Sequence, residues 1–308
     1  MSAMEKLRIA VVGVGHLGAR HAKTYKEIEN TELVGVCDIN PVRLEEVSRN
    51  LGVAGFNEFH QLLGKVDAVS ICVPTNLHYQ VAAEFLKHKI HSLVEKPITA
   101  TLKEADSLIK LAKKFCLTLQ VGHIERFNPA FSATQKIIQE PKFIECHRLS
   151  PFPNRSLDIG VVLDLMIHDI DIVLGLVNSP IKRIEGVGVP VLTPFEDIAN
   201  ARLTFQNGCV ANLTASRVSD EWMRKVRVFQ KDTYISLDYK EAKASVYKKS
   251  GANISKTDLP IEKEESLQKE LESFLSSIRQ NQEPLVSGQV ARAALAVALE
   301  IQKQIWRK

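Results

Sequence analysis

A chain of 308 residues suits two domains or one large one, and 45% hydrophobic with 25% charged residues is ordinary for a soluble globular protein. A formal net charge of +4, with acids and bases mixed along the chain, argues against a nucleic-acid partner, which would ask for a clustered basic face. No apolar run approaches about 18 residues and the N-terminus has no signal-peptide profile, so no membrane association is expected and a cytoplasmic location is. Met1 to Met4 read as a short tag remnant. The five cysteines are odd in number and lack CxxC spacing, and the histidines form no HxH or HExxH pattern. Neither disulfides nor a metal site is expected.

Leu7 to Val12 is an almost continuous apolar run, the mark of a strand buried on both faces. It ends in Gly13-Val14-Gly15-His16-Leu17-Gly18 and a helix from Ala19. In this strand–turn–helix setting Gly13 permits the tight turn, Gly15 lets backbone N–H groups approach a pyrophosphate, and Gly18 lets helix and strand pack closely. The helix N-terminus offers donors and a positive dipole end to phosphates. A second strand, Glu32 to Cys37, ends at Asp38, where a carboxylate is expected to hold the ribose hydroxyls of NAD and repel the 2′-phosphate of NADP. NADP sites offer an arginine there instead; Arg43 is nearby but sits inside the next helix, after Pro41, so NADP is the less favoured cofactor. Asp38 capping the next helix is the alternative.

Val66 to Val73 predicts a third strand stopped by Pro74, with Thr75 or Asn76 capping a helix from about Tyr79 to His88. Pro74, Thr75 and His78 are assigned to the cofactor's nicotinamide side. A fourth strand, Ile90 to Val94, leads into Glu95-Lys96-Pro97. Pro97 biases Lys96 away from helical dihedrals, so the strand stops there and leaves both charges at its carboxyl end, where open α/β sheets bind ligands. A helix from Leu102 to Phe115, capped by Thr101, and a fifth strand, Leu117 to Val121, complete a doubly wound parallel sheet.

The pattern then changes. His123, Arg126 and Asn128 crowd a strand end before a helix from Pro129 to about Glu140. An Arg fork suits a diphosphate, so these three are candidate substrate contacts. Pro151 to Gly160 reads as a loop, and Val161 to Val177 as an apolar helix with Asp164, His168 and Asp171 at i, i+4 and i+7 on one face. Strands follow from Phe143 to Leu149, Ile181 to Val189, Ala199 to Phe205 and Cys209 to Ser216, the last two joined by an Asn-Gly hairpin. Lys225 to Phe229, Thr233 to Asp238 and Ala244 to Tyr247 continue a run of antiparallel strands. A polar loop (Lys248 to Pro260) and two helices, Leu267 to Gln280 and Gln289 to Trp306, end the chain. The fold class is α/β: a Rossmann domain (1–122), then an α/β domain with an open, mainly antiparallel sheet (123–308), whose last helix could pack back on the first domain.

The glycine turn, Pro74-Thr75-Asn76-Leu77-His78, Glu95-Lys96-Pro97 and Asp164-x-x-x-His168 together resemble the glucose–fructose oxidoreductase / inositol dehydrogenase (Gfo/Idh/MocA) family over nearly the whole length. The resemblance implies an NAD(P)-dependent dehydrogenase acting on CH–OH groups of a sugar or nucleotide sugar, dimers or tetramers formed through the second sheet, and Lys96, Asp164 and His168 as catalytic groups. The segment from Val121 to Pro129 is similar to members that oxidise the 3-hydroxyl of UDP-N-acetylglucosamine. Inositol, simple-sugar or dihydrodiol oxidation, and a non-catalytic NAD-binding sensor, are the competing readings.

Hydride transfer needs a base for the hydroxyl proton. His168, with an ordinary pKa of about 6.5, is the first choice, oriented by Asp164, with Lys96 polarising the substrate oxygen. The reverse, with Lys96 as base, stays open. Glu95 either tethers Lys96 or contacts the cofactor ribose.

Overall fold

The computed structural model describes residues 6–152, 159–262 and 264–307. Met1 to Met4 and residues 153–158 of the expected 151–160 loop lie outside them. The chain divides into two compact units: Met1–Ile124 with Glu265–Arg292, and Glu125–Glu264 with Ala293–Lys308. Where a contiguous second domain is expected, Glu265–Arg292 joins the first unit instead.

In chain order, β1 (Leu7–Val12), α1 (His16–Glu27), β2 (Thr31–Cys37), α2 (Pro41–Leu51), β3 (Ala54–Phe56), β4 (Ala68–Ile71), α3 (Thr75–Lys87), β5 (His91–Glu95), α4 (Leu102–Lys114) and β6 (Leu119–Gly122) build the first unit. Then come α5 (Pro129–Thr134), β7 (Phe143–Leu149), a π-helical turn (Val162–Met166) continued by α6 (Ile167–Val177), β8 (Ile181–Val189), β9 (Ile198–Phe205) and β10 (Val210–Ser216). β11 (Met223–Gln230), β12 (Thr233–Asp238), β13 (Lys243–Ser250), β14 (Asn253–Asp258), α7 (Ser266–Gln280) and α8 (Gly288–Ile305) complete the chain.

The first sheet has the order β3-β2-β1-β4-β5-β6, with every neighbouring pair parallel. The winding reverses between β1 and β4, which opens a crevice at their carboxyl ends. Ile9, Val11, Val36, Ala68 and Leu93 on one face pack against Ala22 and Tyr25 of α1 and Leu267, Leu271, Phe274 and Leu275 of α7. Each large apolar side chain buried there contributes roughly 1.5–3 kcal/mol. Thr101 caps α4 as expected, in a reciprocal box with Glu104. Two expected caps differ. Asn40, not Asp38, caps α2, and α3 starts at Thr75 behind Pro74 with no side-chain cap.

The second sheet has the order β14-β13-β12-β11-β7-β10-β9-β8 and is antiparallel except for the β7–β10 pair. The alternation along β7, β9 and β10 turns Ile144, Cys146, Leu203, Phe205, Ala211 and Leu213 into a core shared with α6 and with Ala294, Ala298 and Ile301 of α8. Phe143, Phe229, Tyr234 and Tyr247 form a cross-strand ring ladder, with centroids 4.8–5.7 Å apart. The polar stretch from Lys248, expected as a loop, instead extends β13 and turns through Gly251 (φ +62°) into β14. Every residue of β14 is exposed, so no apolar alternation announces it.

Candidate functional site

At the crevice of the first sheet, Gly13 has φ +84°, a conformation that L side chains rarely adopt, and a Cβ at Gly18 would collide with the Gly13 carbonyl oxygen. The loop therefore lies hard against the start of α1. That helix begins after Gly15 with no side-chain cap, leaving the amides of its first turn, on His16 and Leu17, to an external acceptor. The donor set fits a dinucleotide pyrophosphate. Asp38 Oδ2 accepts from the loop amide of Val14 at 2.8 Å and Oδ1 from Asn40 at 2.8 Å, so the carboxylate at the end of β2 is locked to the turn. Arg43 Nη1 stands 3.5 Å from Asp38 Oδ2.

At the end of β4, Pro74 is exposed and Thr75 half-buried. His78 is buried, with Nδ1 2.8 Å from the Pro97 carbonyl and Nε2 2.9 Å from that of Val73. Burial pushes its pKa down, outweighing the two carbonyls. Both ring nitrogens face backbone carbonyls, so the His78 ring shapes the turns after β4 and β5. β5 runs into the half-buried Lys96, whose amide donates to Glu95 Oε2 at 3.3 Å, and the Lys96–Pro97 peptide is cis. Burial raises the Glu95 pKa, but His21 and the charge of Lys96 outweigh it, leaving the carboxyl below its ordinary range.

In the second unit, the helix that carries Asp164 and His168 opens under Glu196. The Glu196 carbonyl accepts from Val161 N at 2.9 Å and its Oε1 from Val162 N at 3.3 Å, while Trp306 Nε1 and Gln302 Nε2 hold the same carboxylate. Asp164 lies in the π turn, a geometry frequent at functional sites. Asp164 and His168 are half-buried, whereas Asp169 and Asp171 are fully buried. Asp169 takes both Arg148 Nε (3.1 Å) and Nη2 (2.9 Å), and Arg148 also reaches Glu125 at 2.9 Å. Asp171 takes Arg126 Nε at 2.6 Å and Nη2 at 3.2 Å. The expected three-member stripe is thus reduced to Asp164 and His168.

The same contacts revise the substrate assignments. The Arg126 fork, expected to meet a diphosphate, is closed on Asp171. Asn128 caps α5 through Ala130 N at 3.0 Å and its amide lies 3.4 Å from Glu125 Oε2. His123 is 1% exposed and belongs to the first unit.

Residues 7–123 match the model of the oxidoreductase family with an NAD-binding Rossmann fold, and residues 135–234 match the Gfo/Idh/MocA C-terminal domain. UDP-N-acetylglucosamine 3-dehydrogenase of Acidithiobacillus ferrooxidans is 38% identical over 305 residues, covering 97% of each chain. The chain belongs to the Gfo/Idh/MocA family. The solved structure of that A. ferrooxidans enzyme superposes with a TM-score of 0.93 at 39% identity over 98% of both chains. Among other Gfo/Idh/MocA relatives, myo-inositol 2-dehydrogenase of Thermotoga maritima is 26% identical over 98% of this chain and 97% of its own. The fold is shared with scyllo-inositol dehydrogenase of Lactobacillus casei, solved with NAD(H) and scyllo-inositol (TM-score 0.81, 20% identity, 97% of each chain). The chain is accordingly a nicotinamide-dependent oxidoreductase, and no helix among its described residues is long and apolar enough to cross a membrane.

Sequence spacing missed His21, Cys72 and Glu270. His21, Cys72 and Glu95 each bring one potential ligand atom within 4.8 Å of the others, a cluster of metal-binding residue types that no local spacing announces. The available signal was His21 itself, a polar residue on the stripe Gly18-His21-Ala22-Tyr25 with which α1 faces the sheet.

Proposed function

We propose that this chain is an NAD-dependent dehydrogenase that oxidises the 3-hydroxyl of UDP-N-acetylglucosamine to a ketone. The likeness to the A. ferrooxidans enzyme over 97% of both chains carries the reading. NAD, when bound, accepts the hydride. Gly13, Gly15, His16, Leu17 and Gly18 hold its pyrophosphate, Asp38 its adenosine ribose, and Pro74, Thr75 and Glu95 border its nicotinamide half. Lys96 polarises the sugar oxygen and stabilises the charge that develops on it, while His168, oriented by Asp164, takes the hydroxyl proton. The retained exposure of Asp164 and His168, beside two acids locked to arginines, supports those roles.

On the same reading the enzyme is cytoplasmic and a homodimer or homotetramer. The open face of the second sheet supports the assembly: it carries the aromatic ladder, and Val187, Val189 and Ile198 are exposed along β8 and β9. The activity test is NADH formation with NAD and a panel of UDP-N-acetylglucosamine, other UDP-sugars, myo-inositol and simple sugars. Turnover selective for UDP-N-acetylglucosamine is expected. Preferential turnover of inositol would replace the substrate, and NAD binding without turnover of any panel member would make the chain a sensor.

A further inference from the structure

We propose that His21 is a positioning residue for Lys96: it holds the Glu95 carboxylate, and through it the end of β5 from which Lys96 departs. The inference rests on the reading that Lys96 acts in turnover. His21 is fully buried on α1, and its Nε2 stands 3.2 Å from Glu95 Oε1. The other carboxylate oxygen, Oε2, accepts the Lys96 amide. On the opposite side Gly122 leaves the space that Glu95 fills: a Cβ there would sit 2.7–2.9 Å from the three carboxylate atoms. Glu95 is thereby clamped between an imidazole and a bare backbone.

One further contact and one buried acid make this a built arrangement. One turn beyond His21, the Tyr25 hydroxyl lies 2.8 Å from Ser70 Oγ, so α1 is pinned to β4 and β5 by successive polar side chains. Glu270 of α7 is fully buried, and its carboxyl oxygens have no hydrogen-bond partner among the described residues. Burial, and after it the charge of Glu95, push the Glu270 pKa well up. A buried charge stripped of its neighbour is strongly destabilised, and His21 is the side chain whose ring nitrogen faces Glu95 Oε1 at 3.2 Å. The helix that begins at the dinucleotide loop is in this way linked, side chain to side chain, to the strand end that presents Lys96. Loss of the link misplaces the lysine without touching the loop amides that hold the pyrophosphate, so turnover should suffer far more than cofactor affinity.

The experiment compares His21→Ala, His21→Gln, Cys72→Ala, Gly122→Ala and Lys96→Met with the full-length enzyme, reading kcat, KM, NAD affinity by calorimetry, Tm and bound zinc by mass spectrometry. The expected result for His21→Ala is a kcat about 10- to 100-fold lower with NAD affinity within about threefold of wild type. His21→Gln, whose amide N–H reaches where Nε2 stood, should recover most of the rate. Should His21→Ala not fold, Gly122→Ala displaces the carboxylate with His21 intact and should lower kcat in the same way. Wild-type kcat in the folded variants, no rescue by glutamine, or a loss of NAD affinity that parallels the loss of rate overturns the proposal. So does one equivalent of zinc in the wild type that disappears in Cys72→Ala, since the cluster is then a metal site. Lys96→Met at full rate removes the underlying reading as well. Lys96→Met inactive beside a fully active His21→Ala removes the positioning role alone.

Discussion

In the first unit, Asp38, Glu95 and Lys96 stand at the carboxyl ends of parallel strands, and backbone amides reach the two carboxylates, those of Val14 and Asn40 at Asp38 and that of Lys96 at Glu95. In the second, Asp164, His168, Asp169 and Asp171 share one helical stretch, and burial sorts them. The two acids that face the core each meet an arginine, while the other two keep access to solvent. The strand ends obtain their geometry from backbone amides, joined at Glu95 by the side chain of His21. The helix obtains it from ion pairs beneath and from Glu196 at its start. An ionisable residue on an apolar helix is therefore informative only once its partner is known: Asp169 and Asp171 are held by arginines.

This contrast can be broken most sharply at Lys96 and His168. Lys96→Met should lower kcat by about 10³-fold and His168→Ala by about 10²–10⁴-fold, with NAD affinity nearly unchanged by calorimetry. A normal rate in either variant would remove that residue from the mechanism. Arg148→Met tests the hidden side of the helix. It leaves Asp169 and Glu125 buried without their cation, so chemical denaturation should show a loss of about 3–5 kcal/mol. A loss below about 1 kcal/mol would show that the network does not hold the helix.

Asp197 offers a pH-dependent version of the same test. Its carboxyl is buried beside Arg217, and although burial raises its pKa, the amides of Thr193, Leu192 and Val191 together with Arg217 carry it well below the ordinary range. A depressed folded-state pKa stabilises the protein above the unfolded value of about 3.9, and that stabilisation is lost as the pH falls toward the folded value. The Tm gap between wild type and Asp197→Asn should thus be full above pH about 5 and narrow from about 4 downward. A constant gap would show that charge is not what Asp197 contributes. The smallest effect is expected at Asp38, where Asp38→Ala should narrow the preference for NAD over NADP, read as the ratio of kcat/KM values. An unchanged ratio would take Asp38 out of ribose recognition.

Most of the parallel sheet was legible because β1, β4, β5 and β6 are apolar runs stopped at or just before glycine or proline; β2 was read from its run into Asp38, and the three-residue edge strand β3 was missed. Lys96, Asp38 and the glycine loop could be read from those strand ends. The partners of ionisable groups were not legible. Arg126 looked like an anion fork, and only the fold reveals Asp171 45 residues away beside it. His21 and Glu95 are brought together across the sheet–helix packing, which no local spacing encodes. β14 escaped because a hairpin strand with no buried face carries no period-two signal.

The return of α7 to the first unit bears on how the chain is made. The α1-facing side of the parallel sheet is closed by Leu267, Leu271, Phe274 and Leu275, and the edge strand β6 is covered when Val121 N donates to the Val286 carbonyl. A ribosome reaches these residues only after the whole second sheet has been synthesised. The nascent dinucleotide-binding half must therefore wait with an apolar slot and an unpaired edge open. Fragments ending at Gly122 should share that exposure, aggregating or binding holdase chaperones, and the segment Glu265–Arg292 supplied as a separate peptide is the natural complement to restore them.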